Sequence, residues 1–175
     1  MIRRKISQTE LDEHFRLHDK LMYEGFGGKK ANLANLDLRN LSFRKTSFQN
    51  ANFCNSSLQD ADLHCLSFQR SNFENALLYG VDFSRANFQE VIFRGARLQR
   101  AVFLHTILSF ADFRQANLRY ISISWASLHG ADFRGAQFDQ MIPHDCYIAG
   151  SKWLRSDIPW WVGHPQQDKI ILCDE

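Results

Sequence analysis

"ANFQEVIFRGARLQRAVFLHTILSFADF", residues 86–113, puts an apolar residue at Phe88, Phe93, Leu98, Phe103, Leu108 and Phe113. The interval is five each time. A helix spaces its apolar residues by three and four, and a strand by two, so neither accounts for this stretch. Followed outward, the register holds from Leu33 to Phe138: 22 consecutive centres, twelve Phe, nine Leu and Ile123. Two residues before each centre a small residue recurs, Ala in twelve of the 22 cases, and the slot directly before the centre often holds Asn, Asp or Ser. A register kept over this length is an internal repeat, and it decides the architecture.

A corner every five residues closes a square after twenty, so residues twenty apart should stack and resemble one another. The first column reads Leu33, Phe53, Phe73, Phe93, Phe113, Phe133, and the second Leu38, Leu58, Leu78, Leu98, Leu118, Phe138. One is nearly all Phe and its neighbour nearly all Leu. The other two columns, Phe43 to Ile123 and Phe48 to Leu128, are mixed.

"ANLANLDL", "ANFCNSSLQDADL", "VDFSRANF" and "ADFRGAQF" resemble the A(D/N)LXX motif of pentapeptide-repeat proteins, over residues 31–140. The resemblance implies an all-β solenoid, a right-handed quadrilateral β-helix of about 5.5 to 6 coils here, with centres and small residues pointing inward. The physics is compatible. Small residues alternating with large ones interdigitate in a narrow bore, and backbones stacked at about 4.8 Å satisfy one another's N–H and C=O groups. Leu36, Leu41, Leu66, Ile121 and Met141 stand in small-residue slots and are expected to crowd the bore. Pro143 falls where a centre belongs and cannot donate to a ladder. Residues 141–150 therefore read as an irregular end to the last coil, with "CYIAG" fitting once more around Ile148.

An open stack needs capped ends. "SQTELDEHFRLHDKLMYEGFGG" reads as a helix with Thr9 as N-cap, Asp12 as a loose capping-box partner, and Leu11, Phe15, His18 and Met22 along one side. Gly25, Gly27 and Gly28 end it. At the other end "IPWWVGHPQQDKIIL" has no period of five, and Ile158, Trp160 and Trp161 either seal the last coil or meet a second subunit. The expected organisation is a helical cap at 1–30, the repeat at 31–140, and an irregular coil with a capping or dimerising tail at 141–175.

The chain has 175 residues, 45% hydrophobic and 23% charged, with 15 Phe and a formal net charge of +2. That is a globular composition. No secretory leader or membrane-spanning run is evident, and Cys54, Cys65, Cys146 and Cys173 lack CxxC spacing, which together point to the cytoplasm.

Catalytic groupings are weak. "GFGGKK" lacks the spacing and preceding strand of a phosphate loop and reads as a helix end. His14 and His18 lie four apart without an HExxH pattern, and "HDC" at 144–146 with His164 and Cys173 matches no standard zinc spacing. No catalytic residue, cofactor or metal is expected, and function falls to the outer walls.

Two wall features stand out. Arg94, Arg114 and Arg134 form a ladder on the first wall, with Arg97, Arg100 and Arg119 on the adjoining one. Asp112, Asp132 and Asp139 share these walls, so a solvated, ion-paired face is the first reading and binding of phosphate or an acidic partner the second. Ile92, Val102, Leu104, Ile107 and Phe110 occupy outward slots, with Tyr120 and Trp125 nearby; such a patch marks an interface with a partner or a second copy, unless a terminal segment covers it. The leading function is a non-enzymatic, rigid protein–protein interaction module. Family resemblance alone suggests a DNA-mimicking modulator of type II topoisomerase (gyrase), but residues 31–140 carry eleven Lys/Arg and nine Asp/Glu, the wrong sign for a phosphate mimic. Nucleic-acid binding along the Arg ladder is the third option, and it would weaken steeply with salt.

Overall fold

Residues twenty apart pair in parallel along the whole repeat. In the computed structural model, which describes residues 2–43, 47–139, 145–154 and 171–173, these bridges fall into four files. The first wall runs Asn32, Asn52, Asn72, Ile92, Asp112, Asp132, Lys152, and the second Asp37, Ser57, Leu77, Arg97, Asn117, Gln137. The third runs Asp62, Asp82, Val102 and then Ser122, and the fourth Ser47, Ser67, Asn87, Ile107, Ser127, Tyr147. Each bridge is closed from both sides: Phe93 N–H donates to the Asp112 carbonyl at 2.8 Å, and Asp112 N–H to the Val91 carbonyl at 2.9 Å.

The corner chemistry explains the interval of five. Every described fifth residue from Asn35 to Gly150 has positive φ, between 51° at Trp125 and 70° at Gly150. After most centres the chain turns on a hydrogen bond, as from Ala96 N–H to the Phe93 carbonyl at 2.9 Å. The Asn or Asp before the centre locks that turn, its side chain accepting from the backbone N–H two residues on: Asn72 from Glu74 and Asp82 from Ser84, both at 2.8 Å. These polar residues are thus explained locally, as turn formers.

Twenty of the 22 centres are buried, with Phe43 and Phe138 partly so. The Phe rings stack in files: Phe53 on Phe73 at 4.5 Å, Phe73 on Phe93 at 5.4 Å, Phe93 on Phe113 at 5.2 Å and Phe113 on Phe133 at 5.0 Å. A second file links Phe48, Phe68 and Phe88, and the two meet edge to face, as between Phe68 and Phe73 at 5.4 Å. Of the oversized residues in small slots, Leu36 and Leu66 are buried while Leu41 and Ile121 are only partly so; Met141 lies outside the described residues. On the third wall Val102–Leu104 and Ser122–Ser124 pair as a three-residue ladder.

At the lower end, β1 (Arg4–Lys5) pairs in parallel with β2 (Leu36–Asp37), and α1 (Gln8–Glu24) lies against the first coils. Leu11, Phe15 and His18 are its buried residues, with Phe15 5.1 Å from Phe48 and 5.8 Å from Phe43. Met22 is half-buried. The N-cap is Ser7 and not Thr9: Ser7 Oγ accepts from Glu10 N–H at 3.2 Å, and Ser7 N–H donates to Glu10 Oε2 at 3.1 Å. Glutamate spans a capping box better than the shorter Asp12. The helix stops at Gly25, φ 75°, whose N–H returns to the Leu21 carbonyl.

The stack also runs further than the Pro143 break suggests. Residues 140–144 lie outside the described residues, but Tyr147 bridges Ser127, Lys152 bridges Asp132, and Ile148 and Trp153 are buried. Trp153 continues the Phe file, 4.4 Å from Phe133. β5 (Lys152–Leu154) then pairs in parallel with β6 (Ile171–Cys173), so the end of the tail returns to the last coil. Ile158, Trp160 and Trp161 lie outside the described residues. No helix among the described residues is long and apolar enough to cross a membrane.

Candidate interaction surface

On the first wall the Arg file is interleaved with carboxylates. Arg94 and Arg114 both reach Asp112, at 2.9 and 2.7 Å, and Arg134 reaches Asp132 at 2.6 Å. Arg114 lies 3.8 Å from Asp132 as well, so the five side chains form one zipper along the rod. Burial alone would raise the Asp112 carboxyl, but hydrogen bonds from Arg114 and Arg94 overcome it and hold its pKa at about 2. Three guanidinium groups against two carboxylates leave a surplus of one positive charge, 3 − 2. On the second wall Arg119 approaches Asp139 at 3.9 Å, whereas Arg100 lies over the Tyr79 ring at 5.6 Å. Among the described residues Arg85, Arg97 and Arg100 make no ion pair.

The zipper predicts an acid signature. A carboxyl depressed in the folded state stabilises fully above its ordinary value and ceases to do so as pH falls through its folded one. The window runs from about pH 4 down to about 2. Asp112→Asn keeps the acceptor for Arg114 N–H but removes the charge. Urea melts should show it about 1–2 kcal/mol less stable than wild type at pH 7, a gap that closes near pH 2.

The apolar residues gather about the corner between the third and fourth walls and along the fourth wall to its next corner, at Phe110. Trp125 stacks on His105 at 5.0 Å, with the rings nearly parallel at 10°. Val102 and Leu104 (together β3, Val102–Leu104) are half-buried on one side, facing β4 (Ser122–Ser124) in the coil above. Ile107 and Phe110 are exposed on the other side, and Trp125 is 56% exposed. Ile92 and Tyr120 sit apart from this corner: Ile92 is half-buried on the first wall, beyond the turn at Phe110, and Tyr120 is exposed at the far end of the third wall.

The patch gains two residues that sequence reasoning did not include. Phe110 meets the His129 ring edge-on at 5.0 Å, and His129 stacks on Tyr147 at 5.7 Å, with Tyr147 56% exposed. Tyr147 stands forty residues after Ile107 in the same file, a relation visible by counting past Pro143. The Phe110 ring rests over Gly130, where a Cβ would lie 2.5 Å from it. Glycine at that corner lets the ring lie flat along the rod.

Among the described residues the catalytic candidates do not converge. His18 is buried with Nδ1 accepting from Ala31 N–H at 3.0 Å, so it cannot share a metal with His14. His144 and His164 lie outside the described residues. Among the described residues, no three His, Cys, Asp or Glu side chains gather as metal ligands.

Residues 66–141 match the family described as Pentapeptide repeat region, and residues 30–64 that described as Pentapeptide repeats (8 copies). No curated protein matches the chain. Among solved structures, a pentapeptide-repeat protein from the cyanobacterium Cyanothece 51142 superposes with a TM-score of 0.50 at 15% identity, over 75% of this chain and 97% of its own. A pentapeptide-repeat protein of the Arabidopsis thaliana thylakoid lumen gives 0.42 at 22%, over 58% and 66%. The plasmid-mediated fluoroquinolone resistance protein QnrB1 gives 0.37 at 18%, over 73% and 71%. At these identities the likeness concerns the fold alone.

Proposed function

Because the chain belongs to the pentapeptide-repeat family, we propose that it winds as the family's right-handed quadrilateral β-helix and serves as a rigid, non-enzymatic protein–protein interaction module. The observation that carries this reading is the line of exposed rings flanking the fourth wall: Trp125 on His105 at one of its corners, and Phe110, His129 and Tyr147 toward the other. Large rings held half out of water on a stiff scaffold are the anchors that interfaces favour. Arg85, one coil below His105, borders the rings, and Arg100 stands at the far end of the third wall; neither makes an ion pair among the described residues. The occupant we infer is a partner protein presenting apolar side chains flanked by carboxylates. Steering by the arginines would raise its on-rate at low salt.

Neither alternative function gains support. Asp112 and Asp132 of the first wall are matched by arginines and so do not offer free negative charge to imitate DNA, and the same pairing neutralises most of the ladder that would hold a nucleic acid.

Capture from native extract should be run with wild type, Phe110→Asp plus Trp125→Asp, and Arg85→Glu plus Arg100→Glu. The reading expects one protein whose retention falls more than tenfold with either pair, about 1.4 kcal/mol or more. A dimer by light scattering that the Asp pair dissolves would assign the corner to a second copy. Retention unchanged in both variants would refute the surface.

A further inference from the structure

We propose that His18 is an acid-operated latch, holding the N-terminal cap on the stack at neutral pH and releasing it in mild acid.

The argument starts from the geometry. His18 is completely buried between α1 and the first coil, with its ring facing Phe48 at 6.3 Å. Its Nδ1 accepts the backbone N–H of Ala31, the first residue of the repeat, at 3.0 Å. That bond requires a lone pair on Nδ1 and therefore the neutral ring with its proton on Nε2. Nε2 has no partner at normal hydrogen-bond geometry, and the Ser47 backbone acts on the ring to favour its charged form. A protonated ring would set one N–H against another at Ala31 and leave a charge in the apolar seam. The groups acting on it are few: burial opposes the charge most, Asp19 on α1 and the Ser47 carbonyl favour it, and Lys30 in the link opposes it, so the ring titrates below its ordinary value.

The ring is therefore protonated most easily by leaving the seam, and it leaves with α1. Leu11 and Phe15 lie on the same buried face, so release bares Phe43 and Phe48 at the end of the stack. The sign follows from linkage: a histidine whose docked pKa is lowered favours docking above about pH 6.5, and docking weakens as pH falls from there to the docked value. One proton permits at most a tenfold change per pH unit. The capping box is not the cause in this range, because Arg4 and the Ser7 N–H hold Glu10 below the ordinary carboxylate value.

Amide hydrogen exchange on the full chain, corrected for intrinsic rates between pH 7.5 and 5, tests the latch. Protection of residues 8–24 should fall by up to tenfold per unit below about pH 6.5, while residues 86–113 keep theirs. His18→Gln retains an acceptor for Ala31 N–H and cannot titrate, so its helix should be pH-insensitive. His18→Leu supplies an apolar replacement if the Gln variant fails to dock, and it should be equally flat. A flat wild-type profile, or the wild-type slope in both variants, overturns the proposal.

Discussion

Phe93→Ala should destabilise the protein by about 3–5 kcal/mol, the range for emptying a fully enclosed aromatic site. Phe93 has no exposed surface and touches five rings: Phe73, Phe83, Phe88, Phe103 and Phe113, at centroid distances of 5.2 to 6.4 Å. Because coils contact only their neighbours above and below, the void cannot be closed by moving a distant element. The parallel ladders hold the backbone spacing, so the walls cannot collapse inward. Phe93→Leu, by contrast, leaves a branched side chain like those of the adjacent Leu column and should cost about half as much or less. Equilibrium urea unfolding measures both. A loss under about 1 kcal/mol for the Ala variant would mean that the ring is not enclosed.

Trp153→Ala should cost a comparable 3–5 kcal/mol, although it lies ten residues beyond the proline that interrupts the repeat. The indole is completely buried, 4.4 Å from Phe133 and 5.3 Å from Phe138, and its Nε1 donates to Ser151 Oγ at 3.0 Å. It closes the Phe file from above, so its loss opens the bore to water. Trp153→Phe should restore most of the stability, since a Phe in that file is what the five coils below already use. Thermal melts of the pair decide the matter: equal Tm values for Ala and Phe would show that the file ends at Phe133.

The core was legible because one rule, large at every fifth position and small two before it, acts on every coil alike. Trp153 escaped because Pro143 hid a register that resumes on the same count at Ile148. Ser7 was missed for a different reason. Ser7 with Glu10 and Thr9 with Asp12 both offer a hydroxyl and an acid three residues apart, and only the length of glutamate separates them. The surface was legible as files but not as contacts. That Arg94, Arg114 and Arg134 line up follows from the period; that Asp112 serves two of them depends on side-chain reach. His129 and Tyr147 join Phe110 through rings leaning from one coil to the next, which no single repeat unit encodes.

The parallel pairing of each residue with the one twenty ahead makes chain length behave like the thread of a screw. Removing residues 71–90 would shorten the shaft by one thread and leave every outer side chain above it pointing in its former direction. Removing only five would keep the bore filled and yet turn the upper part by a quarter revolution, carrying Trp125 and Phe110 around to a different side. Small deletions in such a gene therefore re-aim a surface, whereas larger ones merely trim it.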